Sequence, residues 1–180
     1  YTLQMNNIMP INENVLTPNI RKDYTVTEKA DGMRKMLYIH TTGKIYLIDT
    51  NMHIQFTGAI THEKALYNSL LDGEHILHNK QKEFINLYAA FDIYFIKGVD
   101  VRAEGFMPVR NEDDSEKISE MKWRFPKLIN VIKMLEPVSI VKGKESPIHI
   151  NHKNFYDTNN KKSIFAGCNF ILKKIKDGAY

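Results

Sequence analysis

Thr27-Glu28-Lys29-Ala30-Asp31-Gly32-Met33-Arg34 gathers a lysine, a carboxylate, a glycine and an arginine into one short stretch. The residues from Tyr24 to Ala30 alternate as a strand requires, which predicts Thr27, Lys29 and Asp31 on one face and Glu28 and Ala30 on the other. Gly32 permits a tight turn or a close approach to a ligand. Arg34, beyond it, offers a fork of donors suited to phosphate or sugar oxygens. An amine placed in this way can attack phosphorus. Taken alone, the same Lys-x-Asp pair also describes an exposed ion pair contributing about 0 to 1 kcal/mol.

Two later segments separate these alternatives. Leu70-Leu71-Asp72-Gly73-Glu74-His75-Ile76-Leu77 is an apolar run interrupted by two carboxylates around a glycine, with Asp72 and Glu74 on one face. Asp-Gly often marks a hairpin turn, but a better turn, His78-Asn79-Lys80-Gln81-Lys82, follows at once. Leu87-Tyr88-Ala89-Ala90-Phe91-Asp92-Ile93-Tyr94-Phe95 is a β-rich run with one acid in its middle. Burying that carboxylate is costly unless it meets a cation or a donor, and an edge strand facing water is the alternative.

In order and spacing the three segments resemble the first motifs of the covalent nucleotidyltransferases, which comprise mRNA capping guanylyltransferases and the ATP- or NAD-dependent DNA and RNA ligases. Lys29-Ala30-Asp31-Gly32 resembles the lysine-x-aspartate-glycine motif, Leu71-Asp72-Gly73-Glu74 the third motif, and Tyr88 to Phe95 the aromatic-rich strand after it. The wording Thr27 to Arg34, with Lys44-Ile45-Tyr46-Leu47-Ile48-Asp49, most resembles the guanylyltransferase domain of capping enzymes from large DNA viruses, of the mimivirus and African swine fever virus type. The resemblance is firm from Tyr24 to Phe95 and loose elsewhere.

That resemblance implies a mechanism. Lys29, in its neutral form, attacks the α-phosphorus of GTP, holds GMP as a phosphoramidate, and passes it to a diphosphate-ended RNA. Asp31 supports the lysine end of the pocket. Arg34 binds the ribose, as does Glu74, which alternatively orients a metal through water. Gly32 lines the nucleotide, Tyr88 stacks the base with Phe91 as substitute, and Asp92 sits near lysine, phosphate and metal. Glu74 and Asp92 are the implied ligands of Mg²⁺ (or Mn²⁺), a hard ion suited to carboxylates and phosphate oxygens. In the ligases a glutamate two residues before the lysine accepts from the adenine amino group. Thr27 stands there in this chain, and a hydroxyl can donate to the guanine carbonyl, which favours GTP over ATP. Fused triphosphatase and methyltransferase domains are the implied partners in a longer protein. The implied location is the cytoplasm of an infected cell or the virion, with no secretion.

The chain also departs from the family pattern. A metal-binding acid beside a glycine and then a lysine-rich strand should follow the aromatic strand. Glu104-Gly105 has no such strand after it, and Met121-Lys122-Trp123-Arg124-Phe125 reads as helix, because Ile118, Met121, Phe125, Ile129 and Ile132 recur at helical spacing. With Tyr1 first and Asp177-Gly178-Ala179-Tyr180 last, the sequence is expected to be an excerpt. On this reading 1–180 is a partial nucleotidyltransferase domain, lacking its C-terminal part and OB-fold. A ligase adenylation domain and an inactive nucleotide-binding fragment remain as alternatives.

The positioning elements follow from a coarse pass. An irregular lead-in to Lys22 precedes strands near 24–30, 34–41, 44–49, 53–57, 70–77 and 83–96, with a loop or short helix over 61–68. A helix is predicted from about 115 to Leu135, short strands near 138–142 and 147–151, and a last amphipathic helix over 160–176. Strands in a run with helices later predict an α+β fold with a mainly antiparallel sheet and flanking helices. At 180 residues, 43% hydrophobic and 26% charged, the chain can bury a real core. No apolar run approaches the ~18 residues of a membrane span, and no signal peptide is evident. The single Cys168 excludes an internal disulfide. It falls in a helical stripe with Ile164, Phe165, Ile171, Leu172 and Ile175, which predicts core packing. The seven histidines lack zinc-ligand spacing. A net charge of +4 permits a polyanionic partner without requiring one, and Lys161-Lys162 and Lys173-Lys174-Lys176 equally suit solvated helix faces.

Overall fold

A computed structural model describes residues 2–14, 16–108, 122–157 and 163–176. They belong to two compact units, one drawn from 2–29 and 154–176, the other from 30–108 and 122–153. In chain order the elements are β1 (Thr25–Val26), β2 (Met33–Ile39), β3 (Lys44–Asp49), β4 (Ile54–Ile60), β5 (Ser69–His78), β6 (Phe84–Ile96) and β7 (Val99–Asp100). Then come α1 (Arg124–Leu135), β8 (Val138–Ser139), β9 (His149–His152), β10 (Tyr156–Asp157) and α2 (Ile164–Lys176).

The larger unit is a sheet ordered β7-β6-β5-β2-β3-β4-β8, with β9 added in parallel along β6 and every other pairing antiparallel. The α+β fold read from the sequence is the fold observed. Register explains why one face is dry. Leu47, Leu37, Leu71 and Ile93 are direct partners across β3, β2, β5 and β6, and each is 2% exposed or less. One residue along, side chains point to the other face, and the corresponding row is Ile48, Met36, Asp72 and Asp92. A one-residue slip would exchange the aliphatic row for the carboxylates, so burial of the first fixes the position of the second.

Helix α1 packs on β6 and β9 and buries Phe125, Leu128, Val131 and Leu135. Its start differs from the sequence expectation. Trp123 is extended (φ −120°, ψ 143°), so the helix begins at Arg124 and does not run through from 115; residues 115–121 lie outside those described. Pro126 in the first turn loses no helical hydrogen bond. The buried stripe is also rotated from the predicted one: Ile129 is 37% exposed, and Leu128 and Val131 take the inner face.

In the smaller unit β1 pairs antiparallel with β10, and α2 packs on both. The long strand predicted over 24–30 is cut short here. Only Thr25 and Val26 are in strand, and residues 27–32 carry no ladder. The alternation invoked to bring Lys29 and Asp31 to one face has no strand beneath it. α2 begins at Ile164, with 158–162 outside the described residues, and buries Ile164 and Ile171. Cys168 is half-buried and Leu172 exposed, so the predicted apolar stripe is narrower than its sequence.

One core polar group gives the stability a pH dependence. His75, 5% exposed, sets Nε2 2.7 Å from Asn86 Oδ1, while Nδ1 has no partner among the described residues. Burial holds its imidazolium below the usual range, and the Lys35 charge adds to this against the opposing Asn86 hydrogen bond. The unfolded chain therefore binds a proton near pH 6.5 that the folded chain still refuses. Stability should be full above that pH and decline as pH falls through it toward the lower folded value. Melting curves between pH 7.5 and 5 check this: His75→Gln should flatten the slope relative to the parent, and an unchanged slope would assign the acid sensitivity elsewhere.

Candidate functional site

The polar row on the sheet is assembled by strand pairing. Arg34 on β2 is the direct partner of Glu74 on β5, and Met36 of Asp72. A side chain leaning along its strand reaches the diagonal neighbour, and Arg34 does so: its Nε donates to Asp72 Oδ1 at 3.1 Å and its Nη2 to Oδ2 at 2.6 Å. Tyr94 donates its hydroxyl to Asp72 Oδ2 at 2.7 Å. The Asp72 side chain is 0% exposed and the Arg34 side chain 56%. A wholly buried carboxylate is tolerated because three donors converge on it. The guanidinium is fixed along one edge, and its Nη1 has no protein partner among the described residues. The Asp72 hydrogen bond raises the Arg34 pKa still further, with Asp72's charge adding to it, so Arg34 is a permanent cation. Tyr94 is likewise pushed up, by burial first and then by the hydrogen bond to Asp72.

Glu74 joins the first and third segments. Its Oε1 accepts from the Gly32 N–H at 3.2 Å, leaving Oε2 without a protein partner among the described residues. Gly32 is there because nothing larger fits: a Cβ would lie 2.7 Å from the His75 carbonyl oxygen, 2.8 Å from Glu74 Cγ and 2.9 Å from Ile76 Cγ1. Backbone cannot give way as a side-chain tip can. Gly32→Ala should lift the 30–33 segment off β5 and cost about 1 to 3 kcal/mol, as overpacking does. A melting temperature within experimental error of the parent's would show that the approach is not needed.

Asp92, across from Asp72 on β6, is held from the other side. Arg124 Nε donates to Oδ1 at 2.8 Å and Nη2 to Oδ2 at 3.1 Å, and the Ile93 N–H adds 2.8 Å to Oδ1. Both oxygens are engaged by a guanidinium in this structure, so a metal at Asp92 would compete with Arg124 for them. Among the described residues no group of three or more His, Cys, Asp or Glu side chains is disposed to hold a metal. Glu74, with one open oxygen, is the carboxylate whose donor set suits a metal that is otherwise ligated by phosphate and water.

The aromatic expectations divide. Tyr88 is 0% exposed, lies against Gly73, and hydrogen-bonds through its hydroxyl to the carbonyls of Lys35 (2.9 Å) and Leu71 (3.2 Å). A ring with no open face cannot stack a base; Tyr88 is a core residue, and burial drives its phenol well above the ordinary value. Phe91, its substitute, is half-buried and is the extra residue where the β5–β6 register shifts between Asp72–Asp92 and Gly73–Ala90. Such bulges re-aim side chains.

In the smaller unit the Thr27 hydroxyl faces two acceptors, Asn154 O at 2.7 Å and Glu28 Oε2 at 3.1 Å. Its single proton serves one of these acceptors at a time in this structure, so a guanine carbonyl would have to compete for it. Lys29 is exposed and ends this unit's share of the motif, and Asp31 is exposed at the start of the other's. Three residues were missed by the sequence reading as site residues. Asp72 was visible beside Glu74, Tyr94 lay in the aromatic strand, and Arg124, from a distant helix, gave no local signal.

Within the larger unit, then, Arg34 is secured by the buried Asp72 and stands beside Glu74, which is tied to the Gly32 N–H. The chain belongs to the family described as the mRNA capping enzyme, catalytic domain, whose profile matches residues 11–178. It is similar to a probable mRNA-capping enzyme of Acanthamoeba polyphaga mimivirus, with 34% identity over 100 residues. That match covers 56% of this chain and 8% of the mimivirus protein.

Proposed function

We propose that this chain carries the guanylyltransferase chemistry of mRNA capping. The observation that supports this most directly is the register setting Arg34 opposite Glu74, with the Gly32 N–H on the glutamate. It ties Gly32 and Arg34 of the first motif to Glu74 of the third within the larger unit. In the proposed reaction the neutral Lys29 amine attacks the α-phosphorus of GTP. The P–N bond forms, the bond to the β-phosphate oxygen breaks, and pyrophosphate leaves with the electron pair while the amine proton goes to solvent. A terminal phosphate oxygen of diphosphate-ended RNA then attacks the same phosphorus, and the lysine leaves and takes up a proton.

In this scheme Arg34 Nη1 and Glu74 Oε2 address the ribose and Asp31 supports the lysine end. Phe91 takes the base in place of Tyr88. Mg²⁺ or Mn²⁺ would neutralise charge on the phosphate oxygens, with Glu74 as the carboxylate available to it. The RNA 5′ end is the acceptor, fused triphosphatase and methyltransferase domains are the expected company in a longer protein, and the cytoplasm of an infected cell or the virion is the expected setting. Among the described residues no helix is long and apolar enough to cross a membrane.

The test is intact-mass spectrometry after incubation with Mg²⁺ and either GTP or ATP. A GMP adduct formed from GTP alone supports the proposal. An AMP adduct would transfer the chain to ligase chemistry, and nucleotide binding without an adduct would leave a binding module.

A further inference from the structure

Asp72 and Asp92 are direct cross-strand partners on the polar face, where like charges repel. Each has its own guanidinium: Arg34 on Asp72, and Arg124 on Asp92. The Arg124 pair is not a surface contact, since both side chains are 17% exposed. Its third nitrogen is tethered as well, Nη1 donating to the carbonyls of Arg102 and Glu104. One turn further along α1, Lys127 Nζ grips the Glu104 carboxylate at 2.6 and 2.5 Å. The first turn of α1 therefore brings in a cation with no freedom to wander, aimed at the carboxylate beside Asp72.

Removing that cation frees a negative charge next to Asp72. Besides the Ile93 N–H already on Asp92, the side-chain donors gathered at its neighbour Asp72 are Tyr94 and Arg34, and the half-exposed Arg34 is the one that carries a charge to answer it. An Arg34 shared between two carboxylates no longer presents Nη1 in one direction. We propose that Arg124 is a positioning residue of the nucleotide site: it neutralises Asp92, so that Asp72 alone orients Arg34. This rests on the reading of Arg34 as a nucleotide-binding residue under the proposed function.

The consequence is a charge rescue. Arg124→Met should raise the half-saturating GTP concentration for adduct formation by at least about tenfold, with a smaller effect on the saturated rate. Asp92→Asn added to it should bring that value back toward the parent's, because the uncompensated charge is gone. A purely structural Arg124, needed only for its carbonyl contacts, would not be rescued by a change at Asp92. Arg124→Lys, which keeps charge but loses the fork, should fall between.

The ¹⁵N–¹H resonance of Arg34 Nε gives a readout independent of catalysis. It should move in Arg124→Met and return in the double variant. If the parent forms no adduct with GTP yet this resonance shifts and returns, the positioning inference stands and the guanylyltransferase reading fails. If the parent forms adduct and the resonance and GTP dependence are unmoved by Arg124→Met, the inference is overturned. Should Arg124→Met fail to fold, recovery of folding in the double variant supports the inference, and its absence overturns it.

Discussion

Lys29→Met should abolish the covalent GMP adduct, lowering its rate of formation by at least about a thousandfold, because the amine proposed to form the P–N bond is gone. The fold should barely notice. Lys29 is exposed, lies outside any strand, and no ion pair holds it among the described residues. Substitutions at such positions change stability by about 0.5 kcal/mol or less. GTP should still bind, since the residues proposed for the ribose lie on β2 and β5. The measurement pairs intact mass with a melting curve, and peptide mapping of the parent adduct locates the modified residue. Adduct persisting in a folded Lys29→Met variant would mean that the nucleophile has been misassigned.

What the sequence made legible was what strand periodicity controls. Alternation placed β2, β3, β5 and β6 to within about a residue or two at most ends, and motif spacing carried Arg34 and Glu74 to neighbouring strands. It failed where a residue's role depends on contacts distant in sequence. Tyr88 and Phe91 look alike as aromatic residues in a β-run, and only the register, with Gly73 making room for the Tyr88 ring, shows that the first is core. Thr27 promised a free hydroxyl, but Asn154, 127 residues away, takes its proton. Asp92 read as a lone acid in a strand, and its partner Arg124, on a helix 32 residues on, left no local signal. The lysine motif itself misled on local structure: its alternating pattern is strand-like, yet only Thr25 and Val26 find a partner, in β10. Periodicity states which face a side chain could take and leaves open whether a neighbour exists to hold it there.

Asp72 is where fold and proposed function share one group, so its replacement should damage both. In Asp72→Asn the charge disappears and an amide NH₂ can be turned toward Arg34, donor against donor. The Arg34 fork loses one or both of its charge-assisted bonds, and Tyr94 faces a weaker acceptor. A lost hydrogen bond to a charged group costs about 1.5 to 3 kcal/mol. Half of Arg34 stays in water, so no buried cation is stranded and the total should stay near about 2 to 3 kcal/mol rather than the higher cost of a fully enclosed pair. For a chain of this length that corresponds to a melting temperature lower by about 4 to 12 °C. Tyr94→Phe, which removes one donor and leaves the ion pair, should cost about 1 kcal/mol. The effect on nucleotide should exceed what stability explains. With the variant kept well below its melting point, the half-saturating GTP concentration should rise at least about tenfold, the size expected when an Arg contact worth about 1.4 kcal/mol is lost. Combined with Arg34→Met, Asp72→Asn should add little further to that rise, because Asp72 acts on the nucleotide through Arg34. Additive losses in the double variant would show that the acid reaches the nucleotide by another route, and an unchanged GTP dependence in Asp72→Asn would separate the buried pair from nucleotide recognition altogether.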